Sequence, residues 1–230
     1  SCNLVAILGP TYNEYEKTFK NSGIKTQTVS QVSGLSSSDI AIIVNPNNPT
    51  GKVIADETLD ELSKKVRILI IDESFKMFSS RRTQKFNNII QINSLGKFFG
   101  LAGVRLGFVS GPSDFIKTVK AILGPWPVST LAAEIGIVAL NDKVWISEME
   151  KKLVTESNTL HEACSSKNWE LIGKTSLFHT YATSSCLEVE KQFAAHGVWI
   201  RTFDYSKTWV RLRIPTSDKE WTRVKQALNQ

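Results

Sequence analysis

Short apolar runs alternate along this chain with amphipathic stretches, and that alternation restricts the possible folds more than any other feature. The apolar runs cover residues 4–8, 40–44, 67–72, 89–92 and 105–110. They are short, rich in β-branched side chains and apolar at successive positions, which is typical of strands buried on both faces. Amphipathic helical patterns lie between several of them, at 14–23 and 56–66. The alternation predicts an α/β fold with a mainly parallel sheet.

The pattern changes after Gly111. Helical periodicity dominates over 113–167, and shorter strand patterns around one helix follow it. We therefore expect a large α/β domain over residues 1–122, a helical connection over 123–167 and a small C-terminal α+β domain over 168–230.

Charge and cysteine content exclude several kinds of partner and site. The net charge of the 230-residue chain is +6, but lysine and arginine never run for more than two positions, so we expect no nucleic-acid partner. Cys2, Cys164 and Cys186 are far apart and form no paired motif, which favours a reducing compartment and predicts neither a disulfide scaffold nor a metal site. No apolar run approaches the ~18 residues of a membrane span, and no signal-peptide pattern is visible. We therefore expect a cytoplasmic protein with no membrane partner.

A rigid turn and a strand-end carboxylate mark one edge of the predicted sheet. The sequence NPNNPTG at 45–51 follows the apolar run 40–44, and its prolines and glycine predict a turn at the carboxyl edge, where open α/β sheets bind ligands. Asp72 ends the next strand along the chain. From the residues alone, the turn is either structural or a binding loop, and Asp72 is either a helix cap or the partner of a ligand cation.

The run NSLGKFFGLAGVRLGFVSG at 93–111 places Lys97 and Arg105 among apolar and glycine residues. Charged side chains are costly to bury, so we expect this run to line a pocket with an anionic occupant. A lysine in such a pocket also has the chemistry of an amine nucleophile.

The order of these residues resembles that of a known enzyme superfamily. Asn48 in the turn, Asp72 at the strand end, and then Ser94, Lys97 and Arg105 resemble the pattern of the fold-type-I pyridoxal 5′-phosphate enzymes, the aspartate aminotransferase superfamily. The resemblance implies that Lys97 carries the cofactor as a Schiff base, which prepares it for exchange with a substrate amine. It also implies that Asp72 pairs with the ring nitrogen and keeps it protonated, so that the ring can accept electrons.

The same resemblance assigns the remaining cofactor contacts. Asn48 would donate a hydrogen bond to the phenolic oxygen of the ring, and Ser94 and Arg105 would hold the cofactor phosphate. Tyr12, in the motif GPTYNEY, would stack on the ring face, although a packed surface aromatic is the other explanation for it.

Over essentially the whole chain the sequence is similar to the threonine-phosphate decarboxylases of cobalamin biosynthesis. Phe75, the KFF sequence that begins at Lys97, the PW sequence that ends at Trp126, and Pro215 each favour that family over the neighbouring histidinol-phosphate aminotransferases. The resemblance implies decarboxylation of L-threonine O-3-phosphate to (R)-1-aminopropan-2-ol O-phosphate. One alternative is a class I/II aminotransferase acting on histidinol phosphate. Another, from a different class, is a truncated homologue without catalysis.

Two arginines in the C-terminal region complete the implied site. Arg211 matches the residue that binds the substrate carboxylate, and Arg201 matches the one that binds the substrate phosphate. Without the resemblance, both are explained as strand arginines in solvent. Arg213, which shares a strand face with Arg211, and His179 both depart from the family pattern, so their roles stay open. A lone strand histidine is more often a core residue.

The resemblance also implies a homodimer and a long segment before the PTY motif at 10–12, which supplies backbone amides to the cofactor phosphate. The sequence contains no counterpart of that segment, so we expect either a fragment or a truncated homologue. The expected partners are a small phosphorylated amino-acid substrate and a second copy of the chain.

Overall fold

The computed structural model describes residues 2–76 and 87–229. The chain divides into two compact units. The large unit consists of Ser1–Asn48 and Val53–Lys143, and the small unit consists of Pro49–Lys52 and Val144–Gln230.

A mainly parallel sheet forms the centre of the large unit. Its strands, among the described residues, are β1 (Val5–Leu8), β2 (Thr26–Val29), β3 (Ile40–Val44), β4 (Ile68–Asp72), β5 (Ile89–Ser94) and β6 (Gly107–Ser110). They are ordered β2-β1-β3-β4-β5-β6; the first five are parallel and β6 runs antiparallel to β5. The central strands β3 and β4 are largely buried because their isoleucine, leucine and valine side chains pack on both faces of the sheet.

Helices α1 (Glu14–Asn21) and α2 (Asp56–Ser63) lie on the two faces of this sheet. The large unit also contains α3 (Ser113–Leu123) and α4 (Thr130–Asn141), with short 3-10 helices at Val32–Ser37 and Ala102–Val104. On one face, Leu59 and Leu62 of α2 pack against Ile43 and Leu69. On the other face, Tyr15 and Phe19 of α1 pack against the cluster of Val5, Ile7 and Ile42. α1 therefore lies on the sheet with Tyr15 facing it.

The small unit is an antiparallel sheet covered by helices. Its elements are α5 (Lys143–Ser165), β7 (Glu170–Lys174), β8 (Phe178–Ala182), α6 (Cys186–Ala195), β9 (Arg201–Phe203), β10 (Ser206–Arg213) and α7 (Asp218–Leu228). The strands are ordered β7-β8-β10-β9, with antiparallel neighbours throughout. Leu160, Phe193, Val210 and Leu212 are almost completely buried in one apolar cluster beneath the sheet.

The predicted α/β fold with a mainly parallel sheet is confirmed. The helices of the predicted connection over 123–167 are divided between the two units. α4 belongs to the large unit, where Gly136 allows close packing on Leu106. α5 belongs almost entirely to the small unit, because Leu160 and Cys164 enter the small unit's core. Within the described residues, no helix combines the length and the apolar character that crossing a bilayer requires.

Candidate active site

The carboxyl ends of β3, β4 and β5 bring most of the predicted cofactor residues to one edge of the large sheet. The strands are parallel, with Val44 beside Asp72 and Asp72 beside Ile92. The backbone continues this register beyond the strands, since the Asn45 amide donates to the Asp72 carbonyl at 2.8 Å and the Glu73 amide donates to that of Ile92 at 2.8 Å. The segments that follow the three strands therefore begin at the same edge.

The turn after β3 is held by buried asparagine. The Asn45 side chain is 2% exposed, accepts a hydrogen bond from the Ile54 amide at 2.9 Å and donates to the Ile54 carbonyl at 3.0 Å. This pair of bonds joins the two ends of the loop. Asn48, which the sequence analysis assigns to the cofactor ring, lies half-buried in this turn.

Asn47 connects the same turn to the PTY segment. Its side-chain amide donates to the Pro10 carbonyl at 3.0 Å, and its side-chain oxygen accepts from the Thr11 hydroxyl at 2.6 Å. These bonds fix the backbone next to Tyr12. Tyr12 is 47% exposed, and its ring meets that of Tyr15 edge-on, with 6.0 Å between the centroids. The large unit thus presents an open aromatic face at this edge.

Asp72 is a buried carboxylate with two neutral donors. It is 8% exposed, and it accepts from the Tyr15 hydroxyl at 2.6 Å and from the Ser74 amide at 2.9 Å. No lysine or arginine within 2–76 and 87–229 forms an ion pair with it. Burial and the Asp72 charge raise the pKa of the Tyr15 phenol well above its usual range, so Tyr15 donates.

Tyr15 has no sequence signature of a site residue. In the amphipathic pattern of α1 it has the signature of a packing residue, and it does pack on the sheet. Its bond to Asp72 joins residues 57 positions apart, which no local pattern reports.

Glu73, next to Asp72, is a structural residue by its contacts. It is 3% exposed, lies 2.8 Å from the ammonium of Lys76 and 3.4 Å from the Gln91 amide. The adjacent carboxylates thus face different surroundings, because Glu73 has a cation beside it and Asp72 has only neutral donors.

Lys97 lies on a turn held by apolar neighbours. Leu95, Phe98 and Phe99 are buried, and the Gly100 amide donates to the Lys97 carbonyl at 3.1 Å. The Lys97 ammonium lies 5.1 Å from the centroid of the Phe75 ring, and Phe75 follows Asp72 by three positions. The Lys97 side chain is therefore near the end of β4.

The two charged side chains of the 93–111 run lie at the surface of the large unit. Lys97 and Arg105 are both exposed. Leu95, Phe98, Phe99 and Leu106 of this run are buried, but the prediction that the strand over 105–110 is buried on both faces is wrong, because every residue of β6 is exposed.

Ser94 and Arg105 flank Lys97 with their donors oriented by the backbone. The Ser94 hydroxyl oxygen accepts from the Gly96 amide at 2.9 Å. Arg105 has φ 57°, a left-handed conformation, and its guanidinium donates to the Ala102 carbonyl at 3.1 Å. A non-glycine residue in this region costs energy and is concentrated at functional sites.

The two predicted substrate arginines lie in the small unit as cross-strand neighbours. Arg211 of β10 is opposite Arg201 of β9. The Arg211 guanidinium is half-buried 5.1 Å above the Phe178 ring, whereas Arg201 is exposed. Burial, and secondarily the charge of Arg201, lower the pKa of Arg211 to about 10, so it remains a cation at neutral pH.

The two residues that depart from the family pattern have structural contacts. His179 is fully buried, lies 2.7 Å from the Ser157 hydroxyl and 3.1 Å from that of Tyr181, and its pKa is lowered to about 3, chiefly by burial. It is therefore a neutral core histidine. Arg213 forms an exposed ion pair with Glu220 and lines a cavity of about 230 Å³ that contains none of the predicted site residues.

Two curated relatives carry different activities in their names. The threonine-phosphate decarboxylase of Pseudomonas aeruginosa is 29% identical over 97% of this chain and 71% of its own length. The histidinol-phosphate aminotransferase of Buchnera aphidicola is 34% identical, over 60% of this chain and 40% of its own.

The fold is shared with solved structures. The histidinol-phosphate aminotransferase from Sinorhizobium meliloti, in complex with pyridoxal 5′-phosphate, superimposes with a TM-score of 0.83 and 17% identity, over 99% of this chain and 70% of that one. The sequence profile described as "Aminotransferase class I and II" matches residues 3–228. The chain therefore belongs to the class I and II aminotransferase family, whose cofactor is pyridoxal 5′-phosphate.

Proposed function

We propose that this protein removes CO2 from L-threonine O-3-phosphate to give (R)-1-aminopropan-2-ol O-phosphate, in the cytoplasm and as a step of cobalamin biosynthesis. The observation that carries the proposal is the cross-strand pair of Arg201 and Arg211, which offers two cations to a substrate with two anionic groups. The similarity to the threonine-phosphate decarboxylase of Pseudomonas aeruginosa over 97% of the chain supports the same assignment.

The residues at the edge of the large sheet fit pyridoxal 5′-phosphate. When bound, this cofactor supplies an electrophilic carbon for the substrate amine and a ring that accepts the electron pair remaining on the substrate when CO2 leaves. Asp72 fits its ring nitrogen, because a buried carboxylate with only neutral donors favours a cationic partner. Ser94 and Arg105 would hold the phosphate, and Lys97 would supply the amine that anchors the cofactor.

Two further residues would position the ring. Asn48 offers a side-chain amide at the carboxyl edge of the sheet, suited to the phenolic oxygen. Tyr12 offers an aromatic face that is 47% exposed and therefore accessible to a flat ligand.

In the proposed reaction the arginines orient the substrate and Lys97 moves a proton. Arg211 would hold the substrate carboxylate until CO2 departs, and Arg201 would bind the phosphate. Fixing both anions limits rotation about the bond that breaks, and such orientation supplies up to about 7–11 kcal/mol of a barrier in favourable cases. The Lys97 amine would return a proton to the carbon that lost CO2.

The test is turnover of the cofactor-loaded protein with L-threonine O-3-phosphate. We expect release of CO2 with no 2-oxo acid formed. Arg201→Ala should weaken phosphorylated substrates selectively, because a hydrogen bond to a charged group contributes about 1.5–3 kcal/mol. Arg211→Ala should lower turnover more than binding, because it frees the carboxylate to rotate.

Aminotransfer is the second candidate, and the 34% identity to the Buchnera aphidicola histidinol-phosphate aminotransferase favours it. The same residues would then act on a Cα–H bond. Consumption of histidinol phosphate and 2-oxoglutarate without CO2 would establish this reaction and refute decarboxylation. Binding of the cofactor without turnover of either substrate would point to a non-catalytic homologue.

We also propose that the protein is a homodimer. Large apolar side chains on and around α3 and α4 are strongly exposed, including Ile122 at 79%, Trp126 at 90% and Leu131 at 72%. Apolar groups exposed in this density mark association surfaces in soluble proteins. Light scattering should give twice the chain mass, and Leu131→Glu should shift the equilibrium towards the monomer.

A further inference from the structure

The arginine pair of the small unit shares its sheet face with an aromatic cluster. Arg201 and Phe203 are two positions apart on β9, and Trp209 and Arg211 are two positions apart on β10, so alternation places each pair on one face. Val210, between Trp209 and Arg211, is fully buried in the core on the opposite face. The arginine face of the hairpin therefore points away from the core.

Tyr205 lies in the turn of this hairpin and joins the cluster. Its ring is stacked on Phe203, with 5.4 Å between centroids and 25° between planes, and it meets the ring of Trp209 edge-on at 6.2 Å. Because Phe203 and Trp209 both share a face with an arginine, these contacts hold the Tyr205 ring on the arginine face. Tyr205 is nevertheless 52% exposed, so a ligand can reach this residue from solvent.

The phenol keeps its proton at neutral pH. Burial raises the pKa of Tyr205 to about 12, while the charges of Arg211 and Arg201 act in the opposite direction. Because the charges of both guanidinium groups lower the pKa of the phenol, the phenol lies within electrostatic range of both predicted anion-binding residues. Tyr205 is therefore a neutral donor next to two cationic ones.

The Tyr205 ring contacts a ring on each of the two strands that carry the arginines. It stacks on Phe203 of the edge strand β9, which also carries Arg201. Arg211, on β10, leans over Phe178 of β8, the neighbouring strand on the other side. The charge of Arg211 nevertheless acts on the Tyr205 phenol more strongly than that of Arg201, so an anion held by either arginine lies near the hydroxyl.

We propose that Tyr205 is a specificity-determining residue that donates its hydroxyl hydrogen bond to the phosphate of a phosphorylated amino-acid substrate, beside Arg201. The proposal rests on the proposed function and adds a residue that distinguishes phosphate from carboxylate. A guanidinium binds both groups, but a phosphate monoester has three terminal oxygens and accepts from several donors at once. A third donor beside the arginine pair therefore favours the phosphorylated substrate over its unphosphorylated counterpart.

The test compares Tyr205→Phe with the unaltered protein, both loaded with pyridoxal 5′-phosphate and reduced with borohydride, so that the cofactor's own phosphate site is filled and the substrate binds without being consumed. Titration calorimetry with L-threonine O-3-phosphate and with L-threonine, and ³¹P NMR with inorganic phosphate, give the three affinities. We expect about tenfold weaker binding of the two phosphate ligands, equivalent to about 1.4 kcal/mol, and unchanged binding of L-threonine. Lys207→Gln is the matched control, because it removes an exposed positive charge from the same hairpin and should change phosphate binding less than twofold.

Each of the other outcomes decides whether Tyr205 has the proposed role. Equal phosphate affinities for the two proteins, or no phosphate binding by the unaltered protein, overturn the role of Tyr205. Equal weakening of L-threonine also overturns it, because the ring would then only shape the hairpin. CO2 release by the unaltered protein is measured separately, so a protein that loses phosphate affinity in Tyr205→Phe but never releases CO2 retains this inference and refutes decarboxylation.

Discussion

Tyr15→Phe removes a single hydroxyl from the donor set of Asp72. The phenol donates at 2.6 Å to a carboxylate that is 8% exposed, and the phenylalanine ring retains the packing of α1 on the sheet. The substitution therefore isolates one hydrogen bond to a buried charge.

The expected loss of stability follows from the type of bond. A hydrogen bond to a charged group contributes about 1.5–3 kcal/mol, and the acceptor left behind has no bulk water to replace the donor. We expect the free energy of unfolding at pH 8 to fall by about 1.5–3 kcal/mol on this basis.

The difference in the free energy of unfolding between the unaltered protein and Tyr15→Phe should disappear at high pH. The folded protein holds the Tyr15 pKa above the ordinary value of about 10, so the bond's contribution is complete below pH ~10 and is lost as the pH rises towards the folded-state pKa. Above pH ~10 the unaltered protein should lose about 1.4 kcal/mol per pH unit relative to Tyr15→Phe. The two proteins should therefore be equally stable between about pH 11 and 12.

Urea unfolding at pH 8, 9, 10.5 and 11.5, followed by circular dichroism, measures both effects. Tyr12→Phe is the matched control, because Tyr12 is 47% exposed and its contact within the described part of the chain is one with an aromatic ring, which phenylalanine keeps. The free energy of unfolding of this control should change by less than ~0.5 kcal/mol. A Tyr15→Phe protein as stable as the original at pH 8, or a difference that stays constant up to pH 11.5, would refute the reasoning.

Three further results are expected. Borohydride reduction of the cofactor-loaded protein should attach the label to the Lys97 peptide alone, and a label spread over many lysines in the mass spectrum would contradict the assignment. Asp72→Asn should keep its circular dichroism spectrum and lose turnover by several orders of magnitude, since an amide cannot keep the ring nitrogen protonated; an unfolded variant would make Asp72 a structural cap. Gly51→Ala should destabilise the protein by at least ~1 kcal/mol in thermal unfolding, because Gly51 has φ 66° and an added Cβ would lie 2.7 Å from the Lys174 carbonyl oxygen; Gly103→Ala, with open space around it, should not.

The strands that can be predicted from the sequence are those that consist of a short apolar run. β3 and β4 are buried on both faces, and their β-branched runs mark them directly. β2, with the sequence TQTV, and β7, with ELIGK, were missed because both are edge strands with polar side chains. Their pairing comes from backbone hydrogen bonds to a neighbour, and no local pattern contains that neighbour.

The residues of the candidate site also include some that the sequence predicts and some that it does not. Asp72 was identifiable because it ends a buried strand, and strand ends are where ligands of parallel sheets bind. Tyr15 and Tyr205 were not, because their roles depend on contacts: one on a carboxylate 57 positions away, the other on two rings of a hairpin. A sequence pattern reports which face a residue occupies, but not what it meets there.

The glycine-rich run around Lys97 owes its composition to backbone geometry rather than to a buried charge. An added Cβ at Gly96 would lie 3.1 Å from the Ser94 hydroxyl oxygen and 3.3 Å from the Ala102 Cα, so only glycine fits there without a shift. Gly100 has φ 68°, which favours glycine, but Arg105 adopts φ 57° with a full side chain, and that conformation costs about 1–2 kcal/mol. Glycine at position 105 would remove this cost and keep the turn. An arginine that remains in a left-handed conformation is therefore better explained by what its guanidinium binds than by the stability of the fold, and this agrees with its proposed contact to the cofactor phosphate.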